Sequence, residues 1–356
     1  MRRKTRFVCV SDTHGYTPSE AGFKLPAGDV LIHAGDLTNK GSMPELRRTL
    51  DWISKADFEM KLIVAGNHDI TLDPEFYAKH GQSFHGDHLE DPRQCIELVT
   101  RSEPSIVFFQ HQAAVIRLTR AGGPKTAFKV FGSPYSQFQG DWAFGYESSN
   151  ATTLWDLIPL DTDIIVTHTP PRSHCDQKPN GMFVGCDALR RALSRVRPPL
   201  AICGHVHEGR GYERVRWEPA LISAGPDADG VDGVSRGLLP PPGSKKQSLV
   251  DLTGKRTERL DNEGFSCSPA PPSPMSNSSA GLAVSEQGSA RSVGVADIQG
   301  RGHALQTLRK ETCIVNAAVV ATSWPHQGGK RFNAPIVVDL ELPMWQDTTA
   351  NDSQCI

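Results

Sequence analysis

Five short clusters hold most of the side chains in this sequence that could do chemistry together. They are Asp12-Thr13-His14, Gly35-Asp36, Gly66-Asn67-His68-Asp69, Thr167-His168-Thr169-Pro170-Pro171 and Gly204-His205-Val206-His207. Carboxylate, imidazole and amide oxygen form a mixed donor set suited to Mn²⁺, Fe or Zn²⁺. Two divalent ions about 3.5–4 Å apart can clamp both the attacking and the leaving oxygen of a phosphoryl group. With His68 and Asp69 set aside, the clusters supply the donors for such a pair: Asp12, His14, Asp36, Asn67, His168, His205 and His207. A cation would also explain the mixture, because carboxylates and imidazoles sharing a cleft are otherwise costly to desolvate.

Singly, each cluster is ordinary. Asp12 could cap a helix, and Asn67 could occupy a left-handed turn. One imidazole of the His205/His207 pair could stand behind the other, and His33 reads as a packed core histidine. Their shared setting separates them from chance: each follows an apolar run, at 7–10, 30–32, 62–65, 164–166 and 200–203. Further runs at 106–109, 113–118, 128–131 and 221–222 have the same texture. Several are apolar on both faces, as strands sandwiched between layers are. Leu46, Leu50 and Ile53 share one helical face within 44–57, as do Leu189, Ala192, Leu193 and Val196 within 186–197, where Pro198-Pro199 ends the pattern. Strands alternating with helices indicate an α/β domain with its site at the C-terminal ends of strands.

The length of 356 residues suggests two domains, or one with an accessory segment. Lys+Arg 38 against Asp+Glu 40 leaves a net charge of −2, which argues against a protein that blankets phosphate backbones with cations. No apolar run reaches the ~18 residues of a membrane span. The basic start Met1-Arg2-Arg3-Lys4 leads into a short buried strand and not a leader peptide. Eight scattered cysteines without a CxxC pair indicate reduced thiols and a cytoplasmic setting. After Gly225 the chain turns rich in Gly, Ser and Pro, and residues 226–311 read as a disordered insert. Apolar runs at 313–320 and 336–340 then look like two further strands. The expected organisation is a domain over 5–225, the insert, and strands in 312–343 that complete the same domain.

The series DxH, GD, GNH, TH, GHxH resembles that of the calcineurin-like metallophosphoesterase superfamily. Gly132-Ser133-Pro134-Tyr135, Trp142-Ala143-Phe144, Trp155-Asp156-Leu157-Ile158-Pro159, Val184-Gly185-Cys186 and the stretch around Val315-Asn316-Ala317 are similar to its metallophosphoesterase-domain-containing (MPPED, 239AB-like) branch. That resemblance implies a four-layer α/β/β/α sandwich around two divalent metal ions, Mn²⁺ first, with Fe, Zn²⁺ or Mg²⁺ as alternatives. Asp12, His14 and His207 would hold one ion, Asn67, His168 and His205 the other, and Asp36 would bridge them. His68 would contact the scissile phosphate and protonate the leaving group after attack by hydroxide held between the metals. On the residues themselves, Asp69 could orient that imidazole or cap the following turn. Some relatives in the branch lack the first histidine of GHxH and are feeble enzymes; His205 is kept here.

The branch points to phosphodiesters such as cyclic nucleotides. Tyr135, Phe138, Trp142 and Phe144 could form a base-stacking wall or pack as core and rim; Asn67 and His68 could meet the phosphate, as could Arg172, which otherwise reads as a solvated loop arginine. A phosphomonoesterase, including a Ser/Thr protein phosphatase, is the second reading. A non-catalytic nucleotide-binding scaffold is the third.

Overall fold

The computed structural model describes residues 1–137, 140–218, 230–241, 244, 246–262, 309–322 and 329–345. Successive side chains of β1 (Arg2–Val10) point to opposite faces, and from Phe7 to Val10 both faces are buried. Phe7 and Cys9 enter one apolar cluster while Val8 and Val10 enter another. β2 (Val30–Ala34), β3 (Met60–Val64) and β4 (Ile106–Phe109) extend the sheet in parallel. The chain then crosses to a second sheet with β5 (Gln112–Arg117) and β6 (Ala127–Ser133), and makes a small ribbon from β7 (Ser136–Gln137) and β8 (Gly145–Tyr146). It adds β9 (Ile164–Thr167), β10 (Leu200–Cys203), β11 (Gly211–Trp217) and β12 (Val231–Arg236) to the second sheet. β13 (Ser248–Asp251) returns to the first sheet, β14 (Glu311–Asn316) to the second and β15 (Ile336–Pro343) to the first. The orders are β13-β15-β1-β2-β3-β4 and β12-β11-β14-β10-β9-β6-β5.

The inner faces pack on each other. Cys9, Ile32 and Leu62 of the first sheet share a core with Val130, Ile164, Ile202 and Val315 of the second. On the outer face of the first sheet lie α1 (Met43–Lys55) and α3 (Pro92–Thr100), with α2 (Pro74–His85) between them in sequence. α4 (Ala151–Asp156) and α5 (Asp187–Val196) cover the second sheet. The result is the expected four-layer α/β/β/α sandwich. α1 begins where its sequence says it should: Ser42 and Glu45 form a capping box and Pro44 sits in the first turn.

Three helices were not legible in the pattern. α2 buries only Tyr77 and Gly81, so it carries no apolar stripe to read. α3 and α4 are short, and each buries two residues. β11 escaped because its buried face includes Glu213 beside Val215 and Trp217, which breaks the apolar alternation. The insert needs correction as well. Residues 231–236 and 248–251 form the edge strands β12 and β13, so the expected disorder does not hold for these segments. A composition averaged over the whole stretch concealed the short Ser248-Leu249-Val250-Asp251 strand, whose ladder partner β15 is far away in sequence. Of the insert, 226–229, 242, 243, 245 and 263–308 lie outside the described residues, as do Phe138 and the expected strand at 221–222. β14 pairs with β10 and β15 with β1, so both late strands lie inside sheets built by earlier residues. Among the described residues, no helix is long and apolar enough to cross a membrane.

Candidate metal centre

All five clusters leave the C-terminal ends of parallel strands, β1, β2 and β3 in one sheet and β9 and β10 in the other. Backbone bonds lace the turns together. Asp12 donates its N–H to Gly35 O at 2.9 Å, His14 to Asp36 O at 3.0 Å and Gly204 to His168 O at 3.0 Å. From the far end of the chain, Val319 and Val320 donate to Ser11 O and Asp12 O. Asp12, His14, Asp36 and His205 all take positive φ, between 45° and 66°. That conformation costs a non-glycine residue about 1–3 kcal/mol and persists where the surroundings over-determine it, typically at functional sites.

Two glycines explain why the motifs contain them. A Cβ on Gly66 would stand 2.3 Å from Asp36 Oδ1, and one on Gly204 would stand 2.2 Å from Asp12 Oδ2. Neither close approach survives a side chain.

The side chains converge in two groups. In one, the donor atoms of Asp12, His14 and His207 lie within 4.8 Å of one another, with His14 Nε2 3.2 Å from His207 Nε2 and His207 Nε2 3.4 Å from Asp12 Oδ1. In the other, Asn67 Oδ1 accepts from His168 Nε2 and from His205 Nδ1, both at 2.9 Å. Asp36 lies between them, its Oδ2 3.7 Å from His14 Nε2 and its Oδ1 3.4 Å from His168 Nε2. The rear nitrogens are braced by carbonyls: His168 Nδ1 donates to Ala34 O at 3.0 Å and His207 Nδ1 to Thr322 O at 3.1 Å. Such bracing fixes tautomer and ring orientation in metal sites.

The electrostatics follow from burial. His14 is pushed down to about 3, first by desolvation, and His205 likewise to about 3 by desolvation and the neighbouring His168. Both imidazoles therefore keep their lone pairs at neutral pH. Burial opposes charge on His168 and His207 too, yet Asp36 raises the first to about 9 and the Asp12 hydrogen bond raises the second to about 8. Burial also works against the Asp12 and Asp36 carboxylates, but the same histidines hold both below the usual range. Two buried carboxylates thus face two imidazoles that must be protonated to be satisfied. A pair of cations in place of those protons suits this oxygen and nitrogen donor set, so the residues fit a dinuclear centre.

That substitution has a pH signature. If His168 and His207 hold the cations, each ion would have to displace the proton that the raised pKa keeps there near neutral pH. Apparent affinity for each ion should therefore fall about tenfold per pH unit below the histidine pKa and level off above it. Calorimetric titration of metal-free protein in buffers of different ionisation enthalpy measures the released protons. Affinity constant between pH 6 and 9 (the window set by those two raised values) would contradict the proton–metal competition.

His68 sits at the edge of the cluster. Its N–H donates to Asp36 Oδ1 at 2.9 Å, its Nδ1 meets Asn39 O at 2.8 Å, and its ring contacts that of His14 at 4.6 Å between centroids. The expectation that Asp69 orients this imidazole gives way to a different arrangement. The buried Asp69 carboxylate accepts from the N–H groups of Leu37, Thr38 and Gly66 and from Thr38 Oγ1, tying the second and third motif loops together. Burial and the nearby Asp36 raise it to about 7. The carbonyl of Asn39 takes the orienting place, and no side-chain pattern could have signalled a backbone oxygen.

The other sequence candidates separate. Trp142 reaches the cluster, its indole 4.0 Å from the His68 ring at 32°. Tyr135 packs against His111 and Phe144, and Phe144 belongs to the outer core of the first sheet. Arg172 is half exposed, with its Nε 3.7 Å from Asp187 Oδ2 at the start of α5. His33 is core-like as expected: it is buried, held down to about 4 by desolvation, and bonded to Thr13 Oγ1 at 2.9 Å. One supporting residue was missed as such. Asn316, fully buried at the end of β14, donates to Val206 O at 2.8 Å and Cys175 O at 3.0 Å, which holds the GHxH turn from behind.

Two facing sheets with a histidine–carboxylate–amide centre at one end of their parallel strands define a metallophosphoesterase fold. The chain belongs to the calcineurin-like phosphoesterase family, whose model matches residues 5–209. It is 35% identical over 213 residues to metallophosphoesterase domain-containing protein 1 of Homo sapiens, a match covering 58% of this chain and 62% of that one. It is 31% identical over 208 residues to UPF0046 protein T07D4.2 of Caenorhabditis elegans, covering 58% and 52% respectively. A 225-residue segment is 39% identical to probable rhamnogalacturonate lyase C of Emericella nidulans, covering 61% of this chain but 19% of that protein. The matches therefore span less than two thirds of the length of each of these relatives.

Proposed function

We propose that this protein hydrolyses phosphoesters with two divalent cations, and that its substrates are phosphodiesters such as cyclic nucleotides. One observation carries the reading: donors far apart in sequence meet as two groups about Asp36, as two ions sharing one carboxylate require. Asp12, His14 and His207 would hold one ion, Asn67, His168 and His205 the other, with Asp36 between. Bound there, divalent ions would supply Lewis acidity toward phosphoryl oxygens and make an attacking water acidic near neutral pH. The chain's own contribution is positional. Ala34 O and Thr322 O keep the ligating nitrogens aimed inward, and the strained turns at Asp12, His14, Asp36 and His205 keep the carboxylates and imidazoles from relaxing apart. His68 stands beside the cluster with Nδ1 anchored on Asn39 O, leaving Nε2 to give a proton to the departing oxygen.

The phosphoesterase reading is supported by the similarity to metallophosphoesterase domain-containing protein 1, while the diester preference follows the resemblance of the motifs to that branch, and the mixed donor set is compatible with Mn²⁺ as with Fe or Zn²⁺. The free, buried cysteines among the described residues are compatible with the reducing cytoplasm proposed as its setting. Turnover of bis-p-nitrophenyl phosphate, p-nitrophenyl phosphate, a phosphopeptide and cyclic nucleotides with Mn²⁺, Mg²⁺, Fe²⁺ and Zn²⁺ tests the proposal. Faster diester than monoester hydrolysis under matched metal is the expected result. Monoester preference would favour the phosphomonoesterase, and no turnover with less than one bound ion per chain would leave a binding scaffold.

A further inference from the structure

We infer that Trp142 is a positioning residue that acts on the reaction through His68, and is not a base-stacking contact for the substrate. The inference rests on the phosphoesterase reading of the site and on His68 as its proton donor. The indole lies 4.0 Å from the His68 imidazole at an interplanar angle of 32°, close enough to a parallel stack to cover one face of the ring. A face spent on the imidazole is not available to a nucleobase. Trp142 also meets Phe84 of α2 at 5.2 Å and 58°, so the indole touches both the helix and the histidine.

The loop that carries it is fastened in place. Asp73, the N-cap of α2, accepts from Phe76 N–H through Oδ1 at 3.0 Å and from Phe144 N–H through Oδ2 at 2.9 Å. Ser136 N–H reaches Phe144 O at 3.1 Å, closing the other side of the loop beside the β7–β8 ribbon. Phe144 adopts a φ of 56°, a left-handed turn that a bulky residue rarely takes without such tethers. One carboxylate thus caps the helix that presents Phe84 and pins the loop that presents Trp142. Asn39 O fixes His68 at Nδ1, and Trp142 fixes the plane of the ring, so Nε2 has a single direction in which to donate.

The test is a double-mutant cycle on kcat, read with substrates of good and poor leaving groups and supported by NMR of the metal-free protein. His68→Ala should lower kcat steeply, most of all for poor leaving groups. Trp142→Ala should lower kcat about three- to tenfold with KM little changed, as loss of one aromatic contact predicts. Trp142→Phe should recover much of that loss. Added to His68→Ala, the Trp142→Ala change should cost nothing further, because its effect passes through the missing imidazole. In ¹H–¹³C spectra the His68 ring protons should lose an upfield ring-current shift when Trp142 becomes Ala. A Trp142→Ala effect that appears in KM, or persists in the His68→Ala background, would overturn the inference while leaving the site reading intact. If His68→Ala itself leaves kcat unchanged, the site reading fails and the inference with it.

Discussion

Asp36→Asn should lose both cations and lower turnover by on the order of a thousandfold or more, the scale set by several kcal/mol of transition-state charge stabilisation. Asn is the informative replacement. It tolerates the φ of 53° at this position, and it keeps an oxygen where His68 N–H now donates at 2.9 Å. What it removes is the negative charge set between His14 and His168. His168 owes its raised pKa to that charge, so in the variant it should return toward the neutral form and not remain a buried, unpaired cation. The fold should therefore survive, and circular dichroism should match the parent. Elemental analysis after dialysis measures the metal, and diester turnover measures the rest. A full metal complement in this variant would place Asp36 outside the pair.

His68→Ala should separate chemistry from metal binding. General acid catalysis contributes about 10²–10⁴-fold, and that range is the expected loss in kcat. The donors assigned to the ions are all elsewhere, and the backbone N–H of residue 68 still meets Asp36 Oδ1, so the metal content should match the parent. The loss should shrink as the leaving group becomes a weaker base, because a stable phenolate departs without help. Together the two substitutions form a contrast: one should abolish binding and turnover together, the other turnover alone. A drop in both for His68→Ala would recast that residue as a ligand, which the proximity of its ring nitrogens to His14 and Asp36 makes a meaningful outcome.

Much of the centre was visible in residue types alone because each motif is local. A short apolar run followed by Asp, Asn or His needs only a few consecutive residues to declare itself, and five such runs in succession constrain one another. The long amphipathic helices α1 and α5 were legible for the same reason, since Leu46, Leu50 and Ile53, or Leu189, Leu193 and Val196, repeat at helical spacing within one element. α2 offered no such repeat. Arg172 and Tyr135 are suitable types near the motifs whose neighbours the pattern could not show: Asp187 for the first, His111 and Phe144 for the second.

Sequence by itself determined which side chains could ligate, that they stand at strand ends, and that strands alternate with helices. Periodicity and motif spacing are properties of neighbouring residues, and neighbours are what a linear chain displays. Tertiary structure decided what long-range pairing controls. β13 found its ladder against β15, and Asn316 came round to hold the GHxH turn. His68 was oriented by the carbonyl of Asn39 and the face of Trp142, while Asp69 was drawn off to bind backbone N–H groups. Every residue carries a carbonyl, so its choice of partner leaves no trace in composition and emerges only when distant segments meet.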